Sequence, residues 1–246
     1  MAEYRFLISA SWEERAETPD ELAARFLRMI DSLKQVDPVF TLWTCGANRP
    51  KKFETVRDRY ASEIAAGVTT DDWGEPEPFD GYWFGAFTRE TPPDRSFSIR
   101  IKAGSTVDRP FVNYMTFTTD SMANLDVNFM SYHLFRAILG VIVDVWEPAD
   151  AAAYSDALNK INGTSHFRDP WIQYLCPWLA RLITPPSSAQ VEHLPDGGLV
   201  MSATTETFDV ANPAHLAVAR EIGAAMAPLN ELPWPSSAHT AEPGEQ

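Results

Sequence analysis

Cysteine is nearly absent from this 246-residue chain: Cys45 and Cys176 stand far apart and alone, which excludes a disulfide framework or a thiolate metal site and leaves two reduced thiols. Long apolar runs are missing too. The longest candidate, Ala137 to Val143, falls far short of the roughly 18 residues that a bilayer requires, so no membrane span is expected. The start, Met1-Ala2-Glu3-Tyr4-Arg5-Phe6-Leu7-Ile8, carries neither a basic leader nor an apolar segment of signal-peptide length, and a cytoplasmic location is the expectation. Basic residues are scarce: 20 Lys and Arg face 34 Asp and Glu, for a net charge of −14. Phosphate backbones demand a basic face, so this balance argues against nucleic acid as a partner. An acidic surface suits a basic protein partner, although acidity by itself also serves solubility.

The residue sets that carry chemistry are also lacking. His133, His166, His193, His215 and His239 stand apart, with neither His-Glu-x-x-His nor His-x-His spacing, so a zinc enzyme is not indicated. His133, beside the apolar stripe of a predicted helix, reads as a hydrogen-bonded structural residue. Gly163-Thr164-Ser165-His166 lacks the second glycine of a nucleophile elbow, and no Walker loop or Gly-x-Gly-x-x-Gly occurs, so no nucleotide or other cofactor is expected. Pro93-Asp94 followed by Arg100-Ile101-Lys102 approaches the metal-binding pattern of restriction-type nucleases. Arginine at the required acidic position would repel the metal. Carboxylate pairs such as Glu13-Glu14 and Asp71-Asp72 keep a carboxylate-based hydrolase open, but neighbours in one segment rarely face one site.

What the chain does have is a core, since 45% of it is hydrophobic, and 246 residues are enough for one large domain or two small ones. Tyr4, Phe6, Ile8 and Ala10 alternate as in a strand. Thr18-Pro19-Asp20-Glu21 supplies an N-cap, a proline at the first helical position and a capping glutamate. A helix to about Gln35 follows, with Leu22, Phe26, Met29, Ile30 and Leu33 on one face. A short helix is possible within Phe53 to Ala65. Strands are predicted for Tyr82–Thr88, for Phe97, Ile99 and Ile101, and for Phe111–Thr119, forming an antiparallel meander. A second long helix is predicted over Val127–Trp146, closed by Pro148. Ala152–Leu158 reads as a strand and Trp171–Leu182 as an apolar piece. Val191–Leu194 and Leu199–Thr205 flank the hairpin turn Pro195-Asp196-Gly197-Gly198, and Asn212-Pro213 caps a last helix. The fold class is therefore α+β, largely antiparallel, with about three main helices on one side of the sheet. The units at Leu7–Leu22 and Val200–Leu216 echo each other as a possible strand–helix duplication. One domain over residues 1–230 and a flexible tail over 231–246 are expected.

The order Trp146-Glu147-Pro148, Trp171 to Leu175, Asp196-Gly197-Gly198 and Phe208 to Pro213 resembles immunity protein family 52 of bacterial polymorphic toxin systems. The N-terminal strand ending at Trp12 and the capped helix from Pro19 to Leu33 extend the resemblance over most of the chain. It implies a stoichiometric inhibitor, not an enzyme, that binds a cognate toxin, often one with a restriction-endonuclease-like nuclease domain. A carboxylate-rich protrusion around an aromatic anchor would fit a basic nuclease cleft. Asp71, Asp72, Trp73, Glu75 and Glu77 are the first candidates for that contact, with Glu13 and Glu14 beside Trp12 next. For the tryptophan the alternative is that it tucks back into the core. A cytosolic adaptor unrelated to toxins is the remaining alternative.

Overall fold

A computed structural model describes residues 5–46, 50–88, 95–119, 126, 128–161 and 165–232. The features expected at Tyr4, Pro93-Asp94 and Gly163-Thr164, and those on residues 233–246, including His239, lie outside these residues.

Among the described residues, ten strands form one antiparallel sheet in the order β3-β2-β4-β5-β6-β1-β7-β8-β10-β9. The strands are β1 (Phe6–Trp12), β2 (Thr44–Cys45), β3 (Lys51–Lys52), β4 (Tyr82–Phe87), β5 (Phe97–Ala103), β6 (Asn113–Thr119), β7 (Asp150–Ser155), β8 (Ile172–Leu175), β9 (Gln190–His193) and β10 (Leu199–Ser202). The helices are α1 (Pro19–Val36), α2 (Tyr60–Ala65), α3 (Tyr132–Trp146), α4 (Asp156–Ile161), α5 (Pro177–Ala180) and α6 (Pro213–Met226). The α+β antiparallel class predicted from the sequence is the one observed.

β1 lies at the centre because both its faces pack. Ile8 registers with Phe117 of β6 and with Ala153 of β7. On that face Phe6, Ile8, Ala10 and Trp12 are buried beneath α1 and α3, where Trp12 stacks on Trp146 with ring centroids 5.4 Å apart and Phe26 of α1 meets Phe84 of β4 edge-on at 5.7 Å. Each fully buried aromatic of this kind is worth about 2–3 kcal/mol in removed apolar surface. The start of α1 is as its residues predict. The Thr18 hydroxyl accepts from the Glu21 amide at 3.3 Å, the Glu21 carboxylate accepts from the Thr18 amide at 2.8 Å, and Leu22, Phe26, Met29, Ile30 and Leu33 are all buried.

Other elements differ from expectation for local reasons. The helix expected from Val127 starts at Tyr132, since Ser131 caps it by accepting from the Leu134 amide and Asp126 accepts from the Asn128 and Phe129 amides just upstream. The strand expected over Ala152–Leu158 stops at Ser155, whose hydroxyl accepts from the Leu158 amide and turns the chain into α4. Trp171–Leu182 divides at Pro177 into β8 and α5, and the Leu199 strand ends at Ser202. β6 begins at Asn113, two residues after Phe111, which has a left-handed φ of 55°. Phe53–Ala65 forms two 3₁₀ turns before α2.

The two strand–helix units expected as echoes are both present, but their helices lie on opposite faces of the sheet. α1 packs with α3 on the Ile8 face. Residues 166–170 cover the other face, where His166 reaches Asp150, and the end of the chain packs on that segment. Asn230 exchanges two 2.9 Å hydrogen bonds with the Phe167 backbone, and a side chain at Gly223 of α6 would collide with Asp169.

Candidate functional site

The sheet register gathers one set of loops at a single rim. β1 and β5 end there, and β4, β6 and β7 begin there, as shown by the pairings Trp12 with Asn113, Tyr82 with Ala103 and Ser11 with Asp150. β8 ends and β10 begins at the same edge, through Asp150 with Leu175 and Leu199 with Leu175. Both predicted acidic groups emerge on this rim. They are joined through Ser105 and Thr106: the Arg15 amide donates to Ser105 O at 2.9 Å, and the Thr106 amide donates to Phe79 O at 2.8 Å.

The Asp71–Glu77 segment is a built arm. The Glu77 amide donates to Thr69 O at 2.7 Å and the Asp71 amide to Glu75 O at 2.9 Å. One oxygen of the Asp71 carboxylate accepts from the Trp73 amide at 2.9 Å and the Glu75 amide at 2.8 Å, so this acid closes the turn. Gly74 completes it at φ 88°, a conformation that side chains disfavour. Trp73 at the tip is 87% exposed and Phe79 at the base 55% exposed, so the tryptophan does not fold back into the core. Asp72 and Glu75 are exposed and Glu77 half-buried, and none of the three has an ion-pair partner among the described residues. Asp80 beneath them is used internally, held by Lys102 Nζ at 2.8 Å.

Glu13 and Glu14 sit in a different setting. Glu13 is half-buried, and desolvation followed by the charge of Glu14 raises its carboxyl above the usual range. Nearby, Glu17 has a side chain only 6% exposed and is gripped by Arg15 at 3.0 Å and Arg25 at 2.6 Å, while Arg25 also holds Glu147 at 3.1 Å. Arg15 donates to Trp146 O at 3.1 Å and lies over the Trp12 ring. This group ties the end of β1 to α1 and the end of α3.

One cluster has no counterpart in the sequence pattern. Asp150 Oδ1 accepts from the Ser11 hydroxyl and lies 3.0 Å from His166 Nε2, whose ring stacks on Phe111 at 3.5 Å. In a nucleophilic triad the histidine stands between serine and acid so that it can take the serine proton. Here one ring nitrogen faces both partners, His166 Nε2 lying 3.0 Å from Asp150 Oδ1 and 3.4 Å from Ser11 Oγ while the Ser11 hydroxyl also meets Asp150, and the three together fasten residues 166–170 to β1 and β7. Residues 11, 150 and 166 are too far apart in sequence for spacing to reveal the cluster. Cys45 and Cys176 are buried, and burial pushes the Cys176 thiol up to about 12, away from the reactive thiolate. No group of three or more His, Cys, Asp or Glu among the described residues is placed to hold a metal. Arg100 is exposed over the Trp83 ring and Lys102 is buried against Asp80. His133, expected as a hydrogen-bonded structural residue, is exposed on α3 with its ring edge-on to Tyr132, because it falls outside the buried stripe.

The Immunity protein 52 family profile matches residues 5–229. The chain belongs to that family. A solved structure described as Pseudomonas aeruginosa T6SS protein PA0821 is similar in fold, with a TM-score of 0.51 at 12% identity, over 90% of this chain and 72% of that one. A search of curated proteins finds no match. In this Immunity protein 52 member the motifs behind the resemblance are structural. Trp146 is fully buried, Glu147 ends α3 in a left-handed turn at φ 50°, Trp171 donates to Thr204 O, and Asn212 caps α6 by accepting from the Ala214 amide. No helix of the described residues is long and apolar enough to cross a membrane.

Proposed function

We propose that this Immunity protein 52 member neutralises a cognate toxin by binding it stoichiometrically, with the acidic rim as the contact surface. Trp73 is the observation that carries this reading. A tryptophan 87% exposed at the tip of a hydrogen-bonded arm contributes nothing to the core, and burying it against a partner would recover about 2–3 kcal/mol or more. Asp72, Glu75 and Glu77 surround it without internal cations, so their field extends outward and attracts a basic surface over about 10 Å at ordinary salt. The partner chemistry that fits is a nuclease, whose phosphate-binding cleft is basic. A carboxylate-based hydrolase would need several acids with raised pKa converging in one pocket. On the rim the Asp71–Glu77 acids face outward or close the turn, and Glu17 and Asp80 are neutralised by basic partners.

Co-expression with the toxin domain encoded by the adjacent gene, followed by size-exclusion chromatography, tests the proposal. Survival with a co-eluting one-to-one complex is expected. Survival without a complex would indicate enzymatic reversal of damage, and cell death would remove this toxin as the partner.

A further inference from the structure

At the far end of the same rim a groove of about 590 Å³ opens between the C-terminal half of α3 and the β9–β10 hairpin. Val143, Leu194 and Pro195 give it apolar walls, and Asp144, Glu147 and Asp196 give it acidic edges. Among the described residues Asp144 has no ion-pair partner and Asp196 accepts only from the Gly198 amide, at 2.8 Å. The cation lining the groove, Arg136, is already held by both carboxylate oxygens of Glu192 at 2.9 and 2.8 Å.

Two features inside the groove are unexplained by folding. Tyr174 lines it and is only 3% exposed, yet its hydroxyl makes no hydrogen bond to any described residue. The hydroxyl oxygen is therefore open at the groove wall, where it is free to meet water or a ligand group. Burial, with Cys176, Asp196 and Glu147 nearby, pushes that phenol well above its ordinary range, so it stays a neutral donor and acceptor. Gly140 stands inside α3, where alanine would favour the helix. A Cβ there would meet only a terminal nitrogen of Arg136 at 3.3 Å, so no packed backbone demands glycine. What the missing side chain does is widen the groove.

We propose that this groove receives one cationic side chain, a lysine or arginine, from the toxin. The aliphatic stem lies along Val143, Leu194 and Pro195, and the head group reaches Asp144 and Asp196 and donates to the Tyr174 hydroxyl oxygen. The proposal rests on the reading of the chain as a toxin-binding protein and adds a second anchor. Six strand spacings separate β4, which carries the Trp73 arm, from β10, about 29 Å in all. One standard interface, about 800 Å² per partner, is wide enough to cover both.

Calorimetric titration of the toxin domain encoded by the adjacent gene into wild type and three variants tests this. Asp144→Asn with Asp196→Asn keeps the Gly198 hydrogen bond and is expected to weaken binding about tenfold or more, with a shallower salt dependence. Gly140→Leu, which plugs the groove and favours the helix, is expected to weaken it comparably, and Tyr174→Phe about threefold to tenfold. None of the three should melt below wild type, and Gly140→Leu should melt at or above it, which separates lost binding from lost folding. If the double variant and the Gly140→Leu plug both bind within about twofold of wild type, the groove proposal is overturned while toxin binding stands. If wild type itself does not bind, the toxin-binding reading fails and takes the groove with it.

Discussion

The two acidic segments of the rim carry similar shares of acid and put them to different uses. Residues 13–17 place their acids where protein lies on several sides: Glu17 is enclosed by two arginines, and Glu13 is half-buried with an oxygen that has no hydrogen-bond partner. Residues 71–77 use Asp71 to close a turn and leave Asp72, Trp73 and Glu75 facing outward. A charge neutralised inside the fold contributes to stability and little to long-range attraction, whereas an unpaired charge beside an exposed aromatic does the reverse. Acid content alone therefore says little about which segment meets a partner. The local supply of arginine is what separates the two.

The sharpest way to break this comparison is to remove the aromatic. Trp73→Ala is expected to weaken toxin binding by about 2–4 kcal/mol in calorimetry while leaving the thermal melt unchanged, since the side chain touches no core. Glu17→Gln should do the opposite. It leaves Arg15 and Arg25 without their shared carboxylate and should cost about 1–3 kcal/mol in denaturant unfolding, with toxin affinity intact. Asp72→Asn with Glu75→Gln should lower affinity by about 1 kcal/mol at low salt and by progressively less as salt rises, the loss falling mainly on the association rate.

Glu13 gives the smallest effect, and its sign is set by burial. Its folded carboxyl is raised above the ordinary 4.5, so the folded state holds the proton more tightly than the unfolded state. Its contribution to stability is present below that ordinary value and is lost as pH rises through the higher folded one. Glu13→Gln should therefore raise the melting temperature at neutral pH and converge with wild type under acid conditions. A variant less stable than wild type at neutral pH would contradict this placement.

Sequence reading succeeded where the causes are local. Thr18, Pro19 and Glu21 specify the start of α1, the alternation through Phe6 and Ile8 specifies β1, and Asn212-Pro213 specifies the start of α6. It located both acidic segments and put Asp71–Glu77 first, but the enclosure of Glu17 and the exposure of Trp73 were not legible, because the partners of Glu17 include Arg25 on a separate helix and the exposure of Trp73 follows from a turn closed by a side chain. The two-residue strands β2 and β3 carry no period to read. The Ser11–Asp150–His166 cluster and the Tyr174 groove join residues brought together only by the order of the sheet.

The most direct measurement is amide hydrogen exchange on the protein alone and in complex with the toxin domain encoded by the adjacent gene. The account predicts new protection across the arm at Asp71–Glu77 and along the groove at Asp144–Glu147, with residues 13–17 changing little. Protection confined to α6 and residues 166–170, with the arm exchanging as in the free protein, would contradict it.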